Sequence, residues 1–125
     1  MATPIEQLEA MRHLEENWDG YGAAAPQASV IDLAQEFTGL FEVLLVKSSA
    51  AASKLHVSPT RVGGILIDWE DQTMQHEVEL HPDFSIAFLH LNKATGHIET
   101  RKLSPRSPAV VDPQLLQELR QLLAA

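Results

Sequence analysis
Apolar residues recur at Ile5, Leu8, Met11, Leu14 and Trp18, three or four positions apart, with Glu9, Arg12, Glu15 and Glu16 between them. Such spacing places one narrow apolar stripe on a helix running to about Asn17. Thr3-Pro4-Ile5-Glu6 marks its start: Thr3 caps free amides, Pro4 suits the first helical position, and Glu6 completes a capping box. A broader stripe follows at Val30, Leu33, Ala34, Phe37, Leu40, Phe41, Leu44 and Leu45, predicting a second helix that begins near Pro26 to Ser29, with Ser29 as its N-cap. The small residues from Ser48 to Ser53 read as a connector.

From Leu55 to about Leu103 the period shortens to two. Arg61 to Glu70, Met74 to His81, Ser85 to Asn92 and His97 to Leu103 are runs separated by turn residues at Asp71-Gln72-Thr73, Pro82-Asp83 and Lys93-Ala94-Thr95-Gly96. Short connections join antiparallel neighbours, so the expectation is a four-stranded meander, preceded by a short extended piece at Leu55 to Ser58. Ser104-Pro105-Arg106-Ser107-Pro108 reads as an extended linker, and Asp112-Pro113 opens a last helix with Leu115, Leu116, Leu119, Leu122 and Leu123 on one side. Segregated helices and strands indicate a single α+β domain over residues 1–125, with helices on one face of the sheet. The strand from Ser85 to Leu91 breaks the pattern by being apolar on both faces. Its second face therefore calls for a cover, either the C-terminal helix or another copy in a homodimer.

Composition narrows the function classes. The 125 residues are 45% hydrophobic and contain no cysteine, so a core forms without disulfides, and thiol catalysis and zinc–thiolate sites are excluded. A net charge of −8 opposes nucleic-acid phosphates. No segment reads as a signal peptide or is long and apolar enough to cross a bilayer, which leads to the expectation of a cytoplasmic protein without membrane contact.

The seven residues Asn17-Trp18-Asp19-Gly20-Tyr21-Gly22-Ala23 concentrate aromatic, acidic and glycine chemistry. Their plainer reading is a structural corner: Gly20 adopts a left-handed conformation, Trp18 buries its ring, Tyr21 folds back over the core edge and Gly22 turns the chain. The functional reading makes Trp18, Asp19 and Tyr21, with Trp69, the candidate binding residues. This corner, with Pro26 downstream and the strand Gly63-Gly64-Ile65-Leu66-Ile67-Asp68-Trp69-Glu70, resembles a family of small hypothetical bacterial proteins, often of mobile-element or phage-associated origin. Those proteins share an NWDGYGA-like corner and a later GGI…EW strand. Asp68 stands where they often carry Glu before the strand Trp, and the resemblance does not extend to the C-terminal linker and helix. It implies kinship and a bacterial setting, with no mechanism attached.

Other constellations are weaker. On the strand from Met74, one face carries His76, Val78 and Leu80 and the other Glu77, Glu79 and His81. The second set has metal-ligand chemistry, but residues two apart on a strand are about 7 Å apart, so a solvated acidic face balanced by Arg101 or Lys102 is the plainer reading. No metal and no cofactor is expected. His90, between Leu89 and Leu91, is read as a hydrogen-bonded core or interface histidine rather than a tuned base. His13, His56 and His97 read as surface residues. Gly63-Gly64 is too short for a phosphate cradle and permits a bulge or bend, and no nucleophile elbow is present. The leading expectation is thus a non-catalytic protein that acts through protein–protein contacts. One alternative is a secretion-chaperone-like dimer. Another is a small hydrolase or metal-dependent enzyme using Glu77, Glu79, His81 or His90.

Overall fold
The structure is a computed structural model that describes residues 3–48, 55–70 and 72–103. Helix α1 spans Pro4–Ala10 and tightens into a 3-10 turn at Met11–His13; helix α2 spans Ala28–Ser48. Five strands follow: β1 (His56–Pro59), β2 (Ile65–Glu70), β3 (Met74–Leu80), β4 (Ile86–Asn92) and β5 (Ile98–Leu103). They form one antiparallel sheet in the order β1-β2-β3-β4-β5. The expected linker, the final helix and residues 49–53 of the connector lie outside the described residues.

The capping box at the start of α1 forms as anticipated, with the Glu6 amide donating to Thr3 Oγ1 at 3.1 Å and the Thr3 amide to the Glu6 carboxylate at 3.2 Å. The helix, however, does not continue to Asn17. Ile5, Leu8, Met11 and Leu14 are spaced strictly by three, which matches the 3-10 period better than the α-helical one. Leu8 and Met11 are buried and Leu14 packs against the core with an extended backbone. Arg12 then ties this end to α2. Its guanidinium donates to Glu9 at 2.9 Å, to Gln35 at 3.0 Å and to Asp32, while the Gln35 amide donates to Glu9 at 2.8 Å.

Helix α2 begins at Ala28, where the Gln27 carbonyl accepts from the amides of Val30 and Ile31, so Ser29 lies in the first turn rather than at the cap. Val30, Ile31, Leu33, Ala34, Phe37 and Phe41 are buried in the core, the expected stripe as far as Phe41 with Ile31 added, and the side chains of Leu40, Leu44 and Leu45 lie outside the described ones. The facing sheet residues are Ile65, Ile67 and Trp69 on β2, Val78 and Leu80 on β3, and Ile86 and Phe88 on β4, all buried. Each side chain of this kind contributes about 1.5–3 kcal/mol when removed from water.

The sheet has five strands rather than four. Residues 56–59 pair with β2 from His56 opposite Asp68 to Pro59 opposite Ile65, with Leu55 buried beside them. The strand is short and ends in Pro59, whose missing amide is tolerated at an edge. Conversely, residues 61–64 are not strand. Gly63 has φ +85°, and a Cβ on Gly64 would sit 2.3 Å from the Leu80 carbonyl oxygen. The glycine pair thus serves a bend and a close backbone approach between the start of β2 and the end of β3.

That contact yields a paired expectation. Gly64→Ala should cost at least about 2 kcal/mol because only backbone movement relieves the clash. Gly39→Ala, in α2 with open space at the Cβ position, should instead add roughly 0.5–1 kcal/mol. Urea denaturation midpoints of the two variants check both signs.

Candidate binding surface
The chain between the 3-10 turn and α2 is a corner held by its own side chains. Asn17 adopts φ +64°, a region Asn tolerates better than most residues, and its side-chain oxygen accepts from the Gly22 amide at 2.6 Å. Its backbone amide donates to the Ala23 carbonyl at 2.8 Å, closing the loop, and Gly20 (φ +77°) and Gly22 (φ +83°) take the two remaining left-handed positions. One Asp19 oxygen accepts from the amides of Tyr21 at 2.8 Å and Ala23 at 3.1 Å. Its other oxygen accepts from the Arg61 guanidinium at 2.9 Å, and Arg61 also donates to the Tyr21 carbonyl.

A second segment completes the surface. The Ala24 amide donates to the Arg61 carbonyl at 2.9 Å, and Ala24 and Val62 form a parallel bridge. The two motifs singled out in sequence, the corner and the Gly63-Gly64 stretch, are therefore in contact through residues 24–25 and 61–63. Burial of the Asp19 carboxyl pushes its pKa up. The two amides and Arg61 together outweigh that, and the group titrates below the usual carboxylate range.

The four candidate residues occupy different environments. Trp18 is half-buried and donates its indole N–H to the Ala24 carbonyl at 2.9 Å. Asp19 is the hub of the corner. Tyr21 does not fold over the core; it is 82% exposed, because Asp19 holds its amide and Arg61 its carbonyl, and the flanking glycines turn its side chain outward. Trp69 stands apart in the core, 6% exposed, between Phe41 at 4.9 Å and His76 at 5.1 Å (ring centroids). Val62, 62% exposed and beside the corner, carried no signal in sequence because it read as part of a strand. Its pairing with Ala24 depends on a contact between residues far apart in the chain.

The histidines divide in the same way. His76 faces the core with Val78 and Leu80, as its strand parity predicts, and lies opposite His90 on β4. Their Nδ1 atoms are 2.5 Å apart, so one ring donates and the other accepts a shared proton. Burial lowers the His90 pKa, favouring the neutral ring; Glu99 opposes that and Arg101 adds to it. Its Nε2 is buried without a partner among the described residues.

Glu77 and Glu79 project from the other face of the sheet, and His81 Nδ1 lies 3.8 Å from Glu79. Glu77, Glu79 and His90 are thus split between two faces and do not converge. Among the described residues no group of three or more His, Asp or Glu side chains is placed to hold a metal ion. The outer face bears a groove of about 300 Å3 lined by Glu77, Glu79, Ala87, Leu89, Thr100 and Lys102. Ala87, Leu89 and Leu91 are half-buried there, in keeping with the two-sided apolar pattern of β4. Among the described residues no helix is long and apolar enough to cross a membrane. No family model matches the chain, and neither a curated protein nor a solved structure matches it.

Asp19 and His90 both make stability fall with acid. A folded-state pKa below the unfolded value means that the unfolded chain binds protons more readily, so acid favours unfolding. His90 should produce a first loss as pH drops below about 6.5. Asp19 should contribute to a second below about pH 4, together with Glu9, Glu70 and Asp83, whose partners Arg12, Lys93 and Ser85 also lower their pKa values. Denaturation midpoints measured from pH 8 to pH 3 should show the first step flattened in His90→Phe and the second reduced in Asp19→Asn.

Proposed function
We propose that the protein is a non-catalytic binding protein, bacterial and cytoplasmic, that acts through protein–protein contacts made by the corner. The observation that carries this reading is Tyr21, 82% exposed on a segment whose backbone polar groups are extensively hydrogen-bonded. A loop that has already lost its conformational freedom loses little more on association. Tyrosine and arginine are the side chains that most often anchor interfaces, and Tyr21, Arg61 and Val62 lie together. Trp18 and Asp19 act behind them, holding the corner in shape, and Trp69 belongs to the core. The likeness of the corner and the Gly63–Glu70 stretch to small mobile-element proteins supports a bacterial setting.

The test is quantitative capture from a bacterial lysate by the tagged chain. Tyr21→Ser and Val62→Ser should leave the thermal midpoint nearly unchanged, since both side chains are mostly exposed, and each should reduce the captured partner about tenfold or more. Ile98→Ser, at another exposed apolar position, should leave capture intact. Equal capture by all three variants would defeat the proposal.

A further inference from the structure
Strand β5 is the last strand of the sheet, and among the described residues nothing pairs with its outer edge. Residues 98–102 are exposed on both faces. The Asn92 amide donates to the His97 carbonyl at 2.9 Å, which sets the phase of the β4–β5 ladder. By alternation Glu99 and Arg101 turn their backbone groups toward β4, and Ile98, Thr100 and Lys102 turn theirs toward the open edge. Six residues without a proline or a bulge form an edge ready to accept another strand.

We propose that this edge takes a second copy of the chain, antiparallel and centred on Thr100, with the two-fold axis perpendicular to the sheet. Side-chain complementarity selects the occupant and the register. Thr100 faces the partner's Thr100 as a hydrogen-bonded pair. Glu99 faces the partner's Arg101, and Arg101 faces the partner's Glu99. These last two positions are the non-hydrogen-bonded ones, where side chains approach most closely. Moving the centre by one residue removes the match, because Glu99 then meets the partner's Glu99, or Arg101 meets the partner's Arg101. Charged residues usually guard an exposed edge; here their alternation makes the edge complementary to itself. Within its own chain Glu99 lies across the ladder from His90 and forms an ion pair with His97 at 3.5 Å, with the His97 and Glu99 side chains more than two-thirds exposed. The carboxylate is therefore accessible to an arginine across the edge. Ile98 comes to lie along the aliphatic stem of the partner's Lys102, which shelters a side chain that is 55% exposed in the single chain.

This surface is separate from the Tyr21 corner, and the two readings fail separately. Sedimentation of the full chain, over a series reaching the millimolar range, should show a reversible monomer–dimer equilibrium. Glu99→Arg and Arg101→Glu, each checked for folding by circular dichroism, should weaken it about tenfold or more by placing like charges opposite one another. The double variant carrying both changes should restore it, and Tyr21→Ser should leave it unchanged. A second measurement uses the absence of cysteine. Thr100→Cys should form a dimeric disulfide under mild oxidation, because Cα atoms of a hydrogen-bonded antiparallel pair are about 5.5 Å apart, within bridging range. Three outcomes overturn the proposal: a monomer throughout with no cross-link, a dimer indifferent to the single charge changes, or a double variant that stays monomeric. The second outcome would place the interface elsewhere, at the outer groove or on residues 104–125.

Discussion
The Asp19 carboxylate sits where the chain reverses between the end of the 3-10 turn and the start of α2. One of its oxygens holds two backbone amides of its own loop, and the other reaches Arg61, which belongs to the segment leading into β2. A single group thereby sets the shape of the corner and attaches that corner to the sheet. The cost of partly burying a carboxylate is met by two amides and a guanidinium, the arrangement in which a charge is tolerated away from water. Remove that carboxylate and Tyr21, Val62 and the path of residues 23–25 all lose their reference point.

Behind the corner, the core is organised by rings. Phe37, Phe41, Trp69, His76 and His90 form a continuous line of contacts from the middle of α2 to β4, with centroid separations between 4.8 and 5.8 Å. The line starts apolar and ends polar. At its polar end the Nδ1 atoms of two imidazoles pair across adjacent strands, at positions whose neighbours along each strand are Val78 and Phe88, while His90 Nε2 stays without a partner among the described residues. The same pairing links folding to pH, because a buried imidazole that gains a charge loses its hydration.

Periodicity carried most of the architecture. The stripe on α2, the alternation on β3 and the turn residues after β2, β3 and β4 each follow from local chemistry, and the elements stand close to where those signals place them. What escaped was non-local. β1 is four residues long and contains a proline, and it becomes a strand because β2 offers it a partner. Residues 61–64 alternate like a strand, yet Arg61 is claimed by Asp19 and Gly64 is pressed against Leu80. The fate of Tyr21 was illegible for the same reason. Its direction is decided by Arg61, forty residues away in the chain. Asp19 stood out as a candidate binding residue by type, and its hydrogen bonds to the amides of Tyr21 and Ala23 are visible only once the loop is folded.

The two tryptophans occupy opposite ends of this design, one hydrogen-bonded within the corner and the other stacked against His76. Intrinsic fluorescence from the two indoles consequently reports on different events. Emission from Trp69 reports on the ring stack that it shares with Phe41 and His76. Emission from Trp18 follows the solvent exposure of the loop. Substituting either residue with phenylalanine separates the signals and gives the protein a built-in optical readout for its interior and its surface.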